Sequence, residues 1–399
     1  MTSPRRAPGG FPVVGFIGAG HLVRMCQPPA VGLSITLSVL AESAAASAAL
    51  VVPSAPVGDQ ADVEVVRAFA RECDVLTFDH EDVSAEVLAA LEADGVTLRP
   101  SPAALLFAQD KLAMRRRLTE IGVACPRWTQ VSDPAALASF GDDVCWPVVV
   151  KVPRRGYDGN GVRLVGSAQE AADWFDAVDR GSGPFLDGLL AEEKVDVIRE
   201  LSVLVARSPS GQASAWQVVE TVRDDGICTQ VLAPAPGLDP NLAAVATQAS
   251  LRIAGELAVT GVMAVKMFEV TDPVTGDPAY LVDELAMRPH SSGHWSIDGA
   301  VTSQFEQHLR AVLDLPLGDT RPRARWTVTG NVLGGYHRDL YPAYRHLMAR
   351  DPALKIHLYG EDVRPGRTIG HVSISGSDLS NLRARVSHAS DYLQGVINQ

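Results

Sequence analysis

The stretch 148-VVVKVPRRGYDGNGVRLV-165 carries most of the fold information in this chain. It opens with an apolar run that predicts a buried β-strand, and this run contains one lysine, Lys151. A glycine-rich turn over 154–161 follows, and then a second strand over 162–165. Glycines let backbone N–H groups approach phosphate oxygens, so this strand, turn and strand predict a flap over a phosphate. A plain hairpin carries the same Asp-Gly and Asn-Gly signals, so the turn alone is weak evidence.

Two lysines near this flap are candidate phosphate ligands. A charge inside an apolar strand is costly unless an anion neutralises it, so Lys151 predicts either a bound phosphate or a salt bridge to a neighbouring strand. Lys111 lies at the start of a predicted helix over 108–121, where a solvated surface lysine is the alternative. Within the turn, Tyr157 and Asp158 are candidates to hydrogen-bond a polar substrate.

The segment before the flap predicts a small α/β domain with a parallel sheet over residues 1 to about 105. Gly18-Ala19-Gly20 follows the first apolar strand at once, which is typical of the opening of a nucleotide-binding α/β unit. The predicted elements are strands over 12–17, 34–40 and 75–78 and helices over 21–31 and 63–71.

The segment after the flap predicts antiparallel strands alternating with helices. The predicted elements are strands within 189–207, a helix over 241–257, strands over 262–270, 279–285, 326–332 and 355–359, and a final helix over 378–396.

Carboxylates inside the apolar strands are candidate nucleotide ligands. Glu192 and Glu200 each lie in such a stretch, and a ribose needs a carboxylate to accept its hydroxyl hydrogens. Salt-bridged surface carboxylates are the alternative.

Polar groups are densest over 283–304. So many hydrogen-bonding groups beside the end of an apolar strand predict a site, because unpaired burial is expensive. Each of these residues also has a structural interpretation when it is taken alone. His294 would only hydrogen-bond within a loop, and Trp295 would pack in the core. His308, on the following helix, is expected to be structural. The candidates in this segment are Asp283, Glu284, Arg288, His290, Ser291, Ser292 and His294.

A second cationic turn lies near the C-terminus, at Arg364-Pro365-Gly366-Arg367. Paired guanidinium groups suit a phosphate monoester, and a solvated charge pair is the alternative.

Composition limits the class of protein. The chain has 399 residues, of which 46% are hydrophobic and 21% charged, so two or three globular domains are expected. A net charge of -12 makes nucleic acid an improbable partner. The five cysteines lack the spacing of a zinc site, and the sequence contains no apolar run of membrane-spanning length. We therefore expect a cytoplasmic protein that binds small molecules.

Taken together, these segments resemble 5-(carboxyamino)imidazole ribonucleotide synthases, which are ATP-grasp enzymes of bacterial and fungal purine synthesis. The resemblance covers nearly the whole chain, from Gly18 to the last helix. Its most specific motifs are Gly156-Tyr157-Asp158-Gly159, Arg199-Glu200-Leu201-Ser202, Glu284-Leu285-Ala286-Met287-Arg288-Pro289-His290, Ser292-Gly293-His294-Trp295, Ser303-Gln304-Phe305-Glu306 and Pro365-Gly366-Arg367.

The resemblance implies an α/β ATP-grasp fold with three domains. These are a Rossmann-like N-terminal domain over 1–105, a middle lid domain with the glycine-rich flap over 106–188, and a C-terminal ATP-grasp domain over 189–399. It further implies a homodimer. The reaction would use ATP and Mg²⁺ to activate bicarbonate as carboxyphosphate, and the exocyclic amine of aminoimidazole ribonucleotide would then capture the released CO₂.

The resemblance also assigns roles to individual residues. ATP would be held by Lys111, Lys151, Glu192 and Glu200, and magnesium by Glu284 with Asp283. The aminoimidazole nucleotide would lie near His21, Glu81, Tyr157, Asp158, Arg364 and Arg367. The reacting centre would be lined by Arg288, His290, Ser292, His294 and Lys266.

Several positions depart from the family pattern. The most consequential is Lys266, because the family carries a magnesium-binding glutamate there and a protonated ammonium group cannot coordinate a metal ion. Glu269 is three residues along the strand and is expected on the opposite face. We hypothesise that Lys266 pairs with Asp283 and takes one metal's place; loss of tight ATP binding is the alternative. The other departures are His21, Arg155, Asp283, Ser291 and Glu361.

Three functions are therefore open at this point. The first is carboxylation of aminoimidazole ribonucleotide or a close analogue. The second is a specialised relative that acts on a different amine in a secondary pathway. The third is a catalytically silent binding or scaffold protein.

Overall fold

A computed structural model of the chain describes residues 6–154, 161–180, 183–224, 226–335 and 338–397. Within these ranges, the helices are too short or too polar for any of them to cross a membrane.

The N-terminal part is a three-stranded parallel sheet in the order β2-β1-β3 with helices around it. The strand order reverses beside β1, and the carboxyl ends of β1 and β3 therefore form the crevice where such sheets place their sites. The sequence prediction of a parallel α/β unit is confirmed. Its elements are β1 (Val13–Ile17), α1 (His21–Gly32), β2 (Thr36–Leu40), α2 (Val63–Ala70), β3 (Val75–Phe78) and α3 (Ala85–Ala93).

The middle part has a four-stranded antiparallel sheet in the order β4-β7-β5-β6, with helices packed against it. The strands on both sides of the predicted flap are the adjacent pair β5 and β6, as the sequence predicted. The elements are α4 (Pro102–Gln109), α5 (Lys111–Glu120), β4 (Trp128–Val131), α6 (Pro134–Val144), β5 (Val148–Lys151), β6 (Val162–Val165), α7 (Ala172–Asp179) and β7 (Leu189–Glu193).

The helix predicted over 108–121 is wrong as a single element, because the chain breaks at Asp110. This residue has extended backbone angles and ends α4 while it caps α5. Its carboxylate accepts hydrogen bonds from the backbone N–H groups of Leu112 and Ala113 at 2.9 and 3.0 Å. An aspartate that caps a helix satisfies N–H groups that otherwise lack partners, which stabilises a new helix start. Lys111 is consequently the first residue of α5.

The remaining strands form one large sheet in the order β13-β12-β8-β10-β11-β14-β16-β15, with β9 paired to β8. The helices pack beside it. The elements are β8 (Arg199–Arg207), β9 (Ala213–Ala215), β10 (Val219–Asp224), β11 (Ile227–Ala233), α8 (Pro240–Glu256), β12 (Gly261–Thr271), β13 (Pro278–Ala286), α9 (Ser296–Gly299), α10 (Gln304–Val312), β14 (Trp326–Leu333), α11 (Tyr341–Arg350), β15 (Lys355–Leu358), β16 (Thr368–Gly376) and α12 (Leu379–Gln394).

Buried polar contacts fix the N-terminal sheet against the large one. His308 is fully buried; its Nε2 lies 3.0 Å from Thr77 Oγ1, and its Nδ1 accepts from the backbone N–H of Val262 at 3.1 Å. The expected structural role of His308 is confirmed. Trp295 is also fully buried, which agrees with a core role.

Candidate active site

The centre of the candidate site is an ion-pair cluster between the flap sheet and the large sheet. Lys151 on β5 places its Nζ 2.9 Å from Asp283 Oδ1 on β13 and 2.7 Å from Glu192 Oε2 on β7. Lys151 therefore forms a salt bridge to a neighbouring strand, which is one of the two roles that the sequence predicts for it. The same contact brings the flap strand directly beside the Asp283-Glu284 pair, as a phosphate site between these sheets requires.

The surroundings of Lys151 and Asp283 favour the charged forms of both side chains. Burial by itself lowers the pKa of Lys151, but the negative charges of Asp283 and Glu192 outweigh it, so this pKa lies above its ordinary value. Burial likewise favours the neutral form of Asp283, but Lys151, Lys266 and Arg115 outweigh that and the pKa of the carboxyl falls. Lys151 and Asp283 are therefore both charged at neutral pH.

Arg115 is a member of the cluster that sequence reasoning missed. Its guanidinium is fully buried, lies 2.5 Å from Glu192 Oε1 and donates to the Asp283 carbonyl oxygen at 2.8 Å. Three arginines follow one another at 115–117, so the sequence does not single one out. The available signal is spacing, because Arg115 lies three residues from both Leu112 and Leu118 on the buried face of α5.

A β-bulge sets the arrangement of the two carboxylates. Lys266 pairs with Glu284 across the β12–β13 ladder, whereas the next residue, Met267, pairs with Val282, so Asp283 is the extra residue. Bulges re-aim side chains and are frequent next to active sites. The hypothesis that Lys266 pairs with Asp283 is wrong: Lys266 Nζ lies 2.7 Å from Glu284 Oε2, because the bulge turns Asp283 to Lys151.

Two other predicted positions lie beside this ladder. The charge of Glu284 acts on Lys111, although burial is the stronger effect and lowers the pKa of that lysine. Lys111 also donates its backbone N–H to the Pro153 carbonyl oxygen at 2.9 Å, at the base of the flap. Glu269 forms an ion pair with Arg199.

Glu200, expected to contact ATP, is held by a cation that we did not predict. Its Oε2 accepts from Arg223 Nε at 2.6 Å and from Thr221 Oγ1 at 3.3 Å. The positive charges of Lys266 and Arg223 act on each other, which places this pair beside the ladder position of Lys266. The pairing of β8 with β10 that creates it is non-local, and no sequence signal marks Arg223.

A second group of charged residues lies at the crevice of the N-terminal sheet. Glu81 follows β3, is buried, and binds Arg288 Nε at 2.8 Å through Oε2. Its other oxygen accepts from the Met287 backbone N–H at 3.2 Å. The structure therefore brings together a residue predicted for the amine nucleotide, Glu81, and one predicted for the reacting centre, Arg288, although they are 207 positions apart.

His290 connects the two groups. Its Nδ1 lies 2.9 Å from Ser292 Oγ and 3.2 Å from the Ser292 backbone N, and its own backbone is held by Gln304. Burial lowers the pKa of His290 well below its ordinary value, and the charges of Arg288 and Lys266 lower it further. The ring is therefore neutral at pH 7. Its Nδ1 accepts from the Ser292 backbone N–H, so the ring proton is on Nε2, which is a hydrogen-bond donor between the ion pairs.

Behind His290 is a junction of aromatic rings from the N-terminal part of the chain and from the part that forms the large sheet. His21 stacks on Tyr359 with 4.3 Å between ring centroids, and His294 lies 4.6 Å from His371. The Tyr359 hydroxyl lies 2.8 Å from His371 Nδ1, and the Nε2 atoms of His294 and His371 are buried without a hydrogen-bond partner among the described residues. Burial lowers the pKa of His21 to about 4, with a smaller effect from Arg288. We call this set the histidine junction.

The glycine loop after β1 does not offer an open anion site. The Gly20 backbone N–H donates to Asp79 Oδ2 at 2.7 Å, so this carboxylate fills the N-terminus of α1. A Cβ atom on Gly20 would lie 2.3 Å from that oxygen, and Gly18 has a positive φ of 102°. Glycine is required at both positions for this close approach.

The remaining residues predicted to bind the substrate are two in the glycine-rich flap and two in the turn near the C-terminus. Tyr157 and Asp158 lie outside the described residues. Arg364 is exposed and pairs with Asp362 at 2.9 Å, and Arg367 pairs with Glu361.

The donor set gives a poor fit to a preformed magnesium site. Mg²⁺ requires near-octahedral oxygen ligands, but the two carboxylates at the bulge are each held by a lysine. Among the described residues, no group of three or more histidine, cysteine, aspartate or glutamate side chains is arranged to hold a metal ion.

Comparison with known families divides the chain into three matched segments. Residues 12–109 match the ribonucleotide synthetase preATP-grasp domain, residues 116–305 the ATP-grasp domain, and residues 327–385 the phosphoribosylaminoimidazole carboxylase C-terminal domain. Among whole proteins, N5-carboxyaminoimidazole ribonucleotide synthase of Mycobacterium tuberculosis is 49% identical over 387 residues, which cover 96% of this chain and 88% of that protein. The Corynebacterium ammoniagenes protein of the same name is 42% identical, over 98% of this chain and 94% of its own.

Comparison with solved structures finds the same group of enzymes. N5-carboxyaminoimidazole ribonucleotide synthetase from Thermus thermophilus superposes with a TM-score of 0.83 and 32% identity, covering 97% of this chain and 99% of that one. The Aspergillus clavatus enzyme in complex with ADP and 5-aminoimidazole ribonucleotide has a TM-score of 0.83 and 27% identity, with the same coverage.

Proposed function

Because this chain belongs to the N5-carboxyaminoimidazole ribonucleotide synthase family, we propose that its ion-pair cluster binds ATP and that its Glu81–Arg288 crevice binds 5-aminoimidazole ribonucleotide. The chain is an ATP-grasp ligase that carboxylates this amine at the expense of ATP. One observation carries the site assignment: Lys151 of the flap strand reaches Asp283 of the large sheet at 2.9 Å.

The proposed chemistry begins with bicarbonate. Its oxygen attacks the γ-phosphorus of ATP, which gives carboxyphosphate and releases ADP. Carboxyphosphate then separates into CO₂ and inorganic phosphate. The exocyclic amine of the nucleotide forms a bond to the CO₂ carbon and loses one proton to the released inorganic phosphate, so the product is a carbamate.

The described side chains support each part of this sequence. Ammonium groups of Lys111, Lys151 and Lys266 stabilise the charge on the transferred phosphoryl group. Arg288 is oriented by Glu81 and contributes positive charge for an anionic substrate. Neutral His290 lies between the two groups and donates its Nε2–H to a substrate oxygen without adding a positive charge.

ATP hydrolysis with a panel of amines tests this function. We expect phosphate release that requires bicarbonate and rises at least tenfold with 5-aminoimidazole ribonucleotide. Hydrolysis that ignores this nucleotide but responds to another amine would assign a different substrate. Absence of nucleotide binding in calorimetry would contradict the function altogether.

A different amine is the second candidate, and one observation favours it. Arg367, which the family resemblance assigns to the substrate, forms an ion pair with Glu361 in this chain. The family pattern has a lysine where Glu361 stands, so this turn presents less positive charge to a substrate phosphate than the family pattern does.

Glu81→Gln is expected to raise KM for the amine nucleotide about tenfold while KM for ATP stays the same. The substitution removes the charge that orients Arg288 but keeps a hydrogen-bond acceptor for Met287. Steady-state kinetics with each substrate varied in turn measure the difference. Glu86→Gln makes the same change on the exposed first turn of α3 and serves as the control. Equal changes in both KM values would contradict the assignment.

Several expectations from the sequence remain predictions. These are the homodimer, the cytoplasmic location and the domain boundaries near residues 105 and 188. Analytical ultracentrifugation of the purified chain tests the homodimer.

A further inference from the structure

Both carboxylates near the carboxyl end of β13 are already neutralised by lysines of the same chain. Asp283 is held by Lys151 at 2.9 Å, and Glu284 by Lys266 at 2.7 Å. These two residues are the metal ligands that the family resemblance predicts.

The Lys266–Glu284 pair is built into the sheet. Lys266 lies directly opposite Glu284 on β13 and opposite Ser202 on β8, so its backbone is fixed on both sides. Its side chain is 20% exposed and that of Glu284 is 38% exposed. Directly opposed residues of an antiparallel pair have their Cβ atoms about 5 Å apart, so the two side chains meet without crossing open solvent. A ligand that enters from solvent can still reach both groups.

A divalent ion on Glu284 would have to displace this ammonium group. It would gain one carboxylate oxygen and would then lie a few ångströms from Lys266 and Lys151, which repel it. Within the described part of the chain, no third acidic or histidine ligand joins these two carboxylates.

The same geometry suits a phosphate chain without such an ion. Around the ladder, cationic side chains outnumber anionic ones by five to four. A nucleotide phosphate that approaches Lys266 replaces Glu284 as its partner, and the ammonium group needs no other cation to do so. The cations are Lys111, Lys151, Lys266, Arg115 and Arg223, and the anions are Asp283, Glu284, Glu192 and Glu200.

We propose that the Lys266 ammonium group serves as a built-in cation in place of a protein-bound divalent ion, so that this chain binds the phosphates of an adenine nucleotide without requiring magnesium. The inference rests on the proposed function, because it concerns the same nucleotide site. It assigns to Lys266 the role of deciding whether the nucleotide binds with or without a magnesium ion.

Calorimetry of ADP binding with the full chain tests the inference. ADP binding is measured once with about 5 mM EDTA, which removes divalent ions, and once with about 5 mM Mg²⁺, which fills any magnesium site. We expect the Kd for ADP of the natural sequence to differ less than threefold between the two conditions. Lys266→Gln is expected to weaken binding in EDTA at least tenfold. Lys266→Glu is expected to make binding magnesium-dependent by tenfold or more, because it leaves three carboxylates together.

Two further variants keep the result interpretable. Lys355→Gln removes an exposed lysine on β15 and is expected to leave both Kd values unchanged. Glu284→Gln frees Lys266 and is expected to keep or tighten ADP binding in EDTA, whereas loss of a metal ligand would weaken binding in Mg²⁺. Thermal melting of each variant confirms that it is folded.

The possible outcomes separate this inference from the proposed function. Tight ADP binding only in Mg²⁺, or equal binding by Lys266→Gln in EDTA, overturns the built-in cation and leaves the enzyme assignment in place. Absence of ADP binding under both conditions overturns the proposed function as well.

Discussion

Replacing Lys151 with methionine is expected to lower turnover of ATP by about 100-fold or more and to destabilise the fold by about 3–5 kcal/mol. The rate falls because the ammonium group that would contact the phosphates is lost. Stability falls because buried Glu192 keeps only Arg115 as an ion-pair partner, and Asp283 loses its nearest cation while Lys266 and Arg115 remain near it. Phosphate-release kinetics and urea unfolding measure the two effects.

A double substitution separates these two effects of Lys151. Lys151→Met combined with Asp283→Asn removes both charges of one ion pair and is expected to recover most of the lost stability, while turnover stays low. Lys355→Met makes the same change at an exposed position and is the matched control. Near-normal turnover in the folded single variant would contradict a phosphate-binding role for Lys151.

Acidification from pH 7 to pH 5.5 is expected to destabilise the protein by several kcal/mol. Three buried and two partly buried histidines have a pKa below its ordinary value because burial disfavours the charged ring; it is about 4 for His21 and about 3 for His308. The unfolded chain binds protons below its histidine pKa of about 6.5 while the folded chain does not, so stability is lost as the pH falls through this window. Each such histidine contributes about 1 kcal/mol between these two pH values. The five are His21, His290, His294, His308 and His371.

The free energy of urea unfolding, measured at several pH values, tests this expectation. Burial raises the pKa of Asp79, which acts in the opposite direction but involves one group against five. His308→Gln serves as the comparison, because it removes one of these histidines and is expected to flatten the pH dependence between pH 6.5 and 5.5 by about one proton. A free energy that stays constant from pH 7 to pH 5.5 would contradict neutral, buried histidines.

The sequence predicts a strand of this fold well where the strand is buried and its residues form a continuous apolar run. The apolar runs of β1 and β5 are recognisable because strands buried on both faces lack polar alternation. The pairing of Lys151 with an anion also follows from one charge in such a run. The break at Asp110 was missed because a single aspartate inside a helix-forming stretch has the same local signal whether it caps or continues a helix.

Other parts of the site depend on register and on distant pairing. The bulge at Asp283 decides which lysine meets which carboxylate, and register is a property of two strands rather than of one. For the same reason Arg223 and Tyr359 had no sequence signal, because their partners Glu200 and His371 are brought to them by the sheet.

The histidine junction has a consequence for how this protein can change over evolutionary time. His21 comes from the first helix, His294 from the segment after β13, and Tyr359 and His371 from the last strands, and their rings are in contact. A chimaera that took its first hundred residues from a relative with a different side chain at position 21 would place a mismatched group against Tyr359. We therefore expect these separated positions to be inherited as a set, so that recombination between relatives succeeds only when all of them come from one parent.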